Sequence, residues 1–245
     1  MTEYPKDFLR YERQLILPQV GEAGQKKLLA AKVLVVGTGG LGSPVLYYLA
    51  AAGVGTLGLV DSDTVEITNL NRQIIHWEKD LSRPKVISAR EKLEAFNSQL
   101  KINTYQMLFD PHTAREIIPQ YDLVIAAVDN LETRRVINEA CFALEKPWIE
   151  GGVKDFAGLI TTFRPPQGPC YQCLYPDSNL REKRPIGLMG VMPGVIGVLQ
   201  AQEAIKLILG IGTPLAGRLL IFDALETRFE TITLARNPQC PICSH

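Results

Sequence analysis

With 26 Lys+Arg set against 26 Asp+Glu, this 245-residue chain is formally neutral and long enough for one large domain or two small ones. Neutrality leaves no basic footprint for nucleic acid and no polybasic membrane anchor, and 46% hydrophobic against 21% charged residues is a globular rather than a disordered composition. No uninterrupted apolar run reaches the roughly 18 residues of a bilayer span, and Met1 to Arg10 is polar and mixed in charge, so the chain reads as cytoplasmic, without nucleic-acid or membrane partners.

Residues 1–30 read as a polar, partly helical arm. Lys32 to Val36 is a β-branched run that ends on glycine, the pattern of a buried parallel strand. Gly37-Thr38-Gly39-Gly40-Leu41-Gly42 follows, then a helix over Ser43 to Ala52 and a second strand over Thr56 to Val60, closing one βαβ unit at Asp61. Ser82-Arg83-Pro84 starts a helix whose apolar stripe is Val86, Ala89, Leu93 and Phe96. Lys101 to Met107 and Asp122 to Val128 are further strands. After Asp129-Asn130 comes a helix with Val136, Ile137, Ala140, Cys141 and Leu144 inward.

Beyond Pro147 the pattern changes. Trp148 to Val153 and Leu159 to Arg164 lie too close together for a crossover helix, which predicts an antiparallel extension of the sheet. Pro165 to Gly194 has no sustained period and predicts an exposed loop, centred on 174–193. A helix over Val195 to Leu209, with Val198, Ala201, Ile205 and Ile208 on one face, and strands over Leu219 to Phe222 and Arg228 to Leu234 complete the chain. The fold class is α/β: a Rossmann-like, mostly parallel sheet with helices on both faces, an antiparallel C-terminal extension and a metal-stapled loop. It divides as one domain, 1–245, with a nucleotide-binding half at 31–145 and a second half at 146–245.

Gly37-x-Gly39-x-x-Gly42 sits between a strand and a helix, where glycines let backbone amides approach phosphate oxygens. Asp61, at the end of the next strand, is placed to accept from ribose hydroxyls. A tight packing turn and a loop-capping Asp are the plain alternatives, and a dinucleotide dehydrogenase would show the same two features. Asn69-Leu70-Asn71-Arg72-Gln73 and Lys85 then bring two cations to the nucleotide end of the sheet, which suits the charge of a triphosphate. Asp129 is the candidate Mg²⁺ ligand. Taken singly, Asp129 or Asn130 can be a helix N-cap, Arg72 a surface residue and Lys85 a first-turn lysine.

Cys170-x-x-Cys173 and Cys240-x-x-Cys243 can together place four thiolates on one zinc ion, closed and therefore structural. A redox C-x-x-C would need a thioredoxin-like βαβ setting, and neither pair has one. Cys141 falls on an apolar helix face as a small core residue.

Jointly, Arg10-Tyr11-x-Arg13-Gln14, the glycine loop, Asp61-x-Asp63, Asn69-x-x-Arg72-Gln73, Lys85, Asp129-Asn130 and the paired C-x-x-C resemble the ThiF/MoeB/HesA family, from about Arg10 to Cys243. That family is itself similar to the adenylation domain of ubiquitin-activating enzymes. The resemblance implies a homodimeric, zinc-containing adenylyltransferase that joins AMP from MgATP to the C-terminal Gly-Gly carboxylate of a small ubiquitin-fold sulfur carrier of the thiamin or molybdopterin type. By position it assigns Gly39 and Gly40 to the phosphates, Asp61 to the ribose, Asn69, Arg72 and Lys85 to the triphosphate and Asp129 to Mg²⁺, with Asp63, Gln73 and Asn130 beside them. Arg13 matches an arginine that reaches into the partner subunit's site, or else is a solvated arm residue. Several members carry a loop cysteine that takes the acyl group or a persulfide, yet Arg181 to Gly190 contains none. The expectation is an enzyme that stops at the acyl-adenylate and receives sulfur from a separate donor protein. A non-catalytic binding subunit of the same fold and an NAD-dependent oxidoreductase are the competing readings.

Overall fold

The apolar runs become the centre of a single eight-stranded sheet in a computed structural model that describes residues 6–176 and 187–244. In chain order the strands are β1 (Lys32–Val36), β2 (Thr56–Val60), β3 (Lys101–Tyr105), β4 (Leu123–Ala126), β5 (Trp148–Lys154), β6 (Ala157–Phe163), β7 (Arg218–Asp223) and β8 (Arg228–Thr233). Across the sheet they run β3-β2-β1-β4-β5-β6-β7-β8, parallel from β3 to β5 and antiparallel from β5 to β8. The parallel sheet, the antiparallel extension and the helices on both faces are as the sequence pattern predicts.

A parallel strand at the middle of a sheet is covered on both faces, so its residues are apolar without alternation. β1 and β4 meet that condition. Val33, Val35, Leu123 and Ile125 face one core with α2 (Gly21–Ala30), α3 (Gly42–Ala52), α4 (Lys85–Phe96) and α8 (Val191–Leu209). Leu34, Val36, Val124 and Ala126 face the other, with α5 (Pro111–Ile117), α6 (Leu131–Ala143) and α7 (Tyr171–Leu174). The crossover leaving β1 therefore goes to one face and that leaving β4 to the other. The arm, with its short α1 (Glu12–Leu15), is docked on the end of α3. Tyr11 is 1% exposed, and Gln14 and Gln25 both donate to the Ala52 carbonyl, at 3.1 and 3.0 Å, satisfying a C-terminal acceptor of that helix.

Several local expectations need correction. α5 went unread, because its Asp110-Pro111 start encloses only seven residues, too few to show a period. Strands three and four end at Tyr105 and Ala126, earlier than the apolar run suggests. Phe96 is 43% exposed rather than inward; its ring meets Tyr47 edge-on, with the Arg10 guanidinium 5.9 Å from its centroid. α8 starts at Val191, inside the predicted loop, since Pro193 is tolerated in a first helical turn. Met192 and Ile196 approach Gly158 there, so this part of the loop is core. Of the predicted exposed loop, residues 177–186 lie outside the described residues. Of the predicted α8 stripe, Ala201 is buried and Ile205 and Ile208 pack against the core, but the most buried face also takes in Ile196, Gln200, Glu203 and Ala204, because Gln200 donates to the Ala126 carbonyl at 2.8 Å and Glu203 accepts from Thr162 Oγ1 at 2.8 Å. By length and composition α8 is apolar enough to cross a bilayer; here it is a core helix against α3, β5 and β6.

Gly58, in β2, leaves room for the Tyr121 ring: a Cβ there would stand 2.4 Å from Tyr121 Cζ. Gly58→Ala is expected to cost about 1–3 kcal/mol by overpacking, read as a lowered urea midpoint with an unchanged slope.

Candidate functional site

In an open parallel sheet, ligands bind at the carboxyl ends of two adjacent strands whose crossovers depart to opposite faces. Here those strands are β1 and β4. Beyond β1 the chain turns at Gly37, with φ +96°, and a Cβ there would lie 2.4 Å from the Ala127 carbonyl oxygen, so only glycine permits the loop to press against the end of β4. A Cβ at Gly39 would be 3.3 Å from Gln73 Nε2, and one at Gly40 would be 3.5 Å from Arg72 Cγ and 3.1 Å from Pro193 Cγ. The glycine loop, the 69–73 segment and the start of α8 thus meet. Among the described residues nothing accepts a hydrogen bond from the N–H of Gly39 or Gly40, leaving two donors free at the approach to α3.

Asp61 Oδ2 accepts from both the N–H and the hydroxyl of Thr38 at 2.9 Å, and Oδ1 accepts from Asp63 N at 3.0 Å. A carboxylate has about four lone-pair sites, so roughly one remains for a further donor such as a ribose hydroxyl. Lys85 is 6% exposed, with its ammonium 2.8 Å from Asp63 Oδ2. Asp63, Asn69 and Lys85 share a cleft of about 340 Å³ with Ser62, Thr64 and Glu66; the glycine loop and Asp129 do not line it. Asn69 Oδ1 accepts from Glu66 N at 3.1 Å, and Arg72 donates to the Thr68 carbonyl at 2.9 Å and to Asn71 Oδ1 at 3.0 Å. Gln73 is 5% exposed and its Oε1 is without a partner among the described residues.

Asp129 is exposed just past β4, and Asn130 is the N-cap of α6, its side chain accepting from Thr133 N at 2.8 Å. Four residues further on stands Arg134, which sequence reasoning missed. It donates to the carbonyls of Val128, at 2.7 Å, and Gly151, at 3.1 Å, and is ion-paired with Glu150 at 2.8 Å. Burial pushes the Glu150 carboxyl up to about 7, with Arg134 opposing. A cation near a helix N-terminus opposes the helix dipole, and that mismatch was the available sequence signal. Arg13 is exposed on the arm.

His76, also missed, is 3% exposed behind the glycine loop. Its Nε2 is 2.9 Å from the Thr38 carbonyl oxygen and its Nδ1 2.8 Å from Ser88 Oγ. Burial pushes its pKa down to about 4; Lys85 and Lys92 add to that, while the Thr38 hydrogen bond and Asp61 oppose it.

On the far side of α6 the four paired cysteines converge as predicted, with every Sγ within 4.8 Å of the others. Sulfur separations of 3.9 Å for Cys170 and Cys173, 3.5 Å for Cys170 and Cys240, and 3.4 Å for Cys173 and Cys243 bracket the roughly 3.8 Å edge of a tetrahedron with 2.3 Å zinc–sulfur bonds. Asn237 N–H points at Cys173 Sγ at 3.4 Å, an outer-sphere contact that suits a thiolate. The donor set and spacing fit zinc. Tyr171, between the first two cysteines, donates its N–H to Asn138 Oδ1 on α6 at 2.9 Å and meets Trp148 and Phe163. Cys141 is fully buried away from this cluster, and burial pushes its thiol pKa up.

Comparison with known proteins places these observations in a family context. The ThiF family matches residues 11–242. A sulfur carrier protein adenylyltransferase of Thermus thermophilus is 46% identical over 243 residues, covering 96% of this chain and 90% of that protein. SAMP-activating enzyme E1 of Haloferax volcanii is 41% identical over 238 residues, covering 96% and 88%. Adenylyltransferase and sulfurtransferase MOCS3 of Arabidopsis thaliana is 44% identical over 244 residues; this covers 98% of the chain but 53% of that protein, so the chain spans about half its length. Among solved structures, E. coli MccB with ATP has a TM-score of 0.86 at 24% identity, covering 98% of this chain and 76% of that one, a likeness of fold.

Two outcomes follow from the geometry. Elemental analysis is expected to give one zinc per chain, retained in Cys141→Ala and lost in Cys243→Ala together with roughly 3 kcal/mol or more of stability. His76 is neutral in the folded state and takes up a proton when unfolded below pH 6.5, so its contribution, about 3 kcal/mol, is present above pH 6.5 and lost as the pH falls to 4. Urea midpoints between pH 7 and 4 are expected to follow that loss, and His76→Phe to flatten the profile in this window.

Proposed function

The chain belongs to the ThiF family, and with that membership as the premise we propose that it is an adenylyltransferase that joins AMP to the C-terminal Gly-Gly carboxylate of a small ubiquitin-fold sulfur carrier. The observation that carries the reading is the convergence at the switch point. Two glycine N–H groups without an acceptor among the described residues belong to a loop that packs against the segment bearing Arg72, next to the strand end that leads to Asp129.

In the proposed reaction a terminal carboxylate oxygen of the carrier attacks the α-phosphorus of ATP. The bond from that phosphorus to the bridging oxygen breaks, pyrophosphate leaves, and a mixed anhydride with AMP remains. A carboxylate is a weak nucleophile that a triphosphate repels, so the chain's contribution is positioning and charge neutralisation. Gly39 and Gly40 offer N–H groups to phosphate oxygens, and Asp61 uses its remaining lone pair for the ribose. Arg72 and Lys85 face the triphosphate. Lys85 is held beforehand by Asp63, so Asp63 acts on the nucleotide through this lysine, and Asn69 and Gln73 shape the wall around it. The exposed Asp129 carboxylate is a hard oxygen donor suited to Mg²⁺, which would supply further neutralisation of phosphate charge. Asn130 serves as the cap that fixes α6 beside it.

Arg13 lies on the arm and is free to serve a second copy of the chain in a homodimer. The buried Cys141 thiol supports a reaction that ends at the acyl-adenylate, with sulfur brought by another protein.

Pyrophosphate exchange into ATP is expected only with a carrier ending in Gly-Gly, and Arg72→Ala is expected to lower it by about 100-fold or more. Exchange without such a partner, or none with any, would overturn the assignment. Mixed dimers of Arg13→Ala with Asp129→Ala chains are expected to regain activity that neither homodimer has; no recovery would place Arg13 in its own subunit. Mass spectrometry of enzyme, carrier and ATP is expected to show carrier adenylate and no carrier attached to Cys141.

A further inference from the structure

Behind the crevice, a row of buried hydrogen bonds joins the glycine loop to α4, and no role described above uses it. Its middle member is His76. A carbonyl oxygen can only accept, so His76 Nε2 carries the proton that Thr38 receives at 2.9 Å. In the neutral ring Nδ1 is then a lone pair, met by the Ser88 hydroxyl at 2.8 Å. Ser88, with no exposure, accepts in turn from the Lys92 ammonium at 2.9 Å. Lys92 is 7% exposed and paired with Asp80, which is itself fully buried and holds Trp77 N and Arg83. Each donor in the row points the same way, from Lys92 through Ser88 and His76 to the Thr38 carbonyl.

The direction matters because of what lies at the end. The Thr38 carbonyl belongs to the same peptide unit as the N–H of Gly39, and a hydrogen bond to an amide oxygen draws electron density away from its nitrogen. Bonds aligned head to tail strengthen one another, and more so where water is excluded. The Thr38 N–H, in the preceding peptide unit, is meanwhile committed to Asp61, so the residue that links the two peptide planes is held on its other side as well. Packing alone gives no reason for this row, since an apolar side chain of similar volume would fill the space without desolvating an ammonium, an imidazole and a carboxylate. Ser88 and Lys92 stand one and two turns beyond Lys85 on α4, so the row also fixes the distance from the glycine loop to that lysine.

We propose that His76 is a positioning residue for the nucleotide's phosphates: with Ser88 and Lys92 it orients the Thr38–Gly39 peptide and polarises the Gly39 N–H toward an incoming phosphate oxygen. The proposal rests on the nucleotide reading of the crevice. It gives the buried histidine a role in binding that acts through the backbone and needs no contact with ATP. The neutral state that burial imposes on the ring is the one the row requires, because a proton on Nδ1 would turn away the Ser88 donor.

The test compares full-length wild type, His76→Phe, His76→Gln and Ser88→Ala, using the non-hydrolysable AMPCPP and adenosine as probes. His76→Phe keeps the ring and removes both bonds, and it is expected to weaken AMPCPP tenfold or more while adenosine affinity stays within twofold. His76→Gln, which can still donate to Thr38, is expected to regain part of the loss. Ser88→Ala is expected to fall between. Unchanged AMPCPP affinity in His76→Phe, or an equal loss for both probes, would overturn the proposal. If wild type itself binds no nucleotide, it is the assignment of the crevice that fails, and the proposal with it. Nitrogen-15 NMR of wild type serves even if the variants do not fold. The expected signature is a neutral Nε2–H ring at pH 7 and a downfield shift of the Gly39 amide proton with AMPCPP; an Nδ1–H tautomer would overturn the proposal.

Discussion

The chemistry of this protein depends on the gap between β1 and β4. Both strands lie side by side and end at the same edge, and their crossovers go to opposite faces, which opens a gap bordered by the glycine loop and the start of α8. Backbone groups at a strand end must find partners, and here they do so unequally. The Ala126 carbonyl is taken by Gln200 from one face and the Val128 carbonyl by Arg134 from the other, while the Gly39 and Gly40 N–H groups have no acceptor among the described residues. These two carbonyl acceptors are taken and the two amide donors are not, which is the polarity an anion requires.

That polarity is supported by ionic groups placed just beneath the surface. Asp80 and Lys92 behind the glycine loop, and Glu150 and Arg134 below Asp129, are pairs whose burial costs free energy that apolar substitutes would not. Each pair ends in hydrogen bonds to main-chain groups of the two loops that border the crevice. The cost is sustained by cores on both sheet faces, in which the central strands are almost fully buried. A rigid sheet supplies the stability, and the polar pairs turn it into fixed directions for a few peptide groups.

The cysteine cluster belongs to the same logic at longer range. It joins the segment after β6 to the C-terminal tail, and its helix α7 is bonded to α6 through Tyr171 and Asn138. α6 begins at the residue after Asn130, so the metal clip and the crevice share one helix. A metal held there would steady an element whose first residues border the crevice.

The order of strands, the parallel-to-antiparallel change, the glycine loop and the four cysteines that converge were legible in the sequence, because each depends on local spacing: β-branched runs, glycine positions, paired C-x-x-C. Asp61, Lys85 and Asp129 could be named as candidates because each follows a strand or opens a helix, and Arg72 because of its spacing from Asn69. Their partners could not. That Asp61 is committed to Thr38 and that Lys85 waits on Asp63 follow from distances between segments far apart in the chain. His76, Arg134 and the inward Gln200 and Glu203 went unread for a related cause: a polar residue in an apolar stripe, or a histidine outside any motif, has no period to betray it. By itself the sequence determined which segments become strands and which residue types stand at their ends, because hydrophobic periodicity and backbone sterics act over a few residues. Only the tertiary structure decided which buried polar groups meet, since a hydrogen bond forms within about 3 Å in space, whatever the separation along the chain.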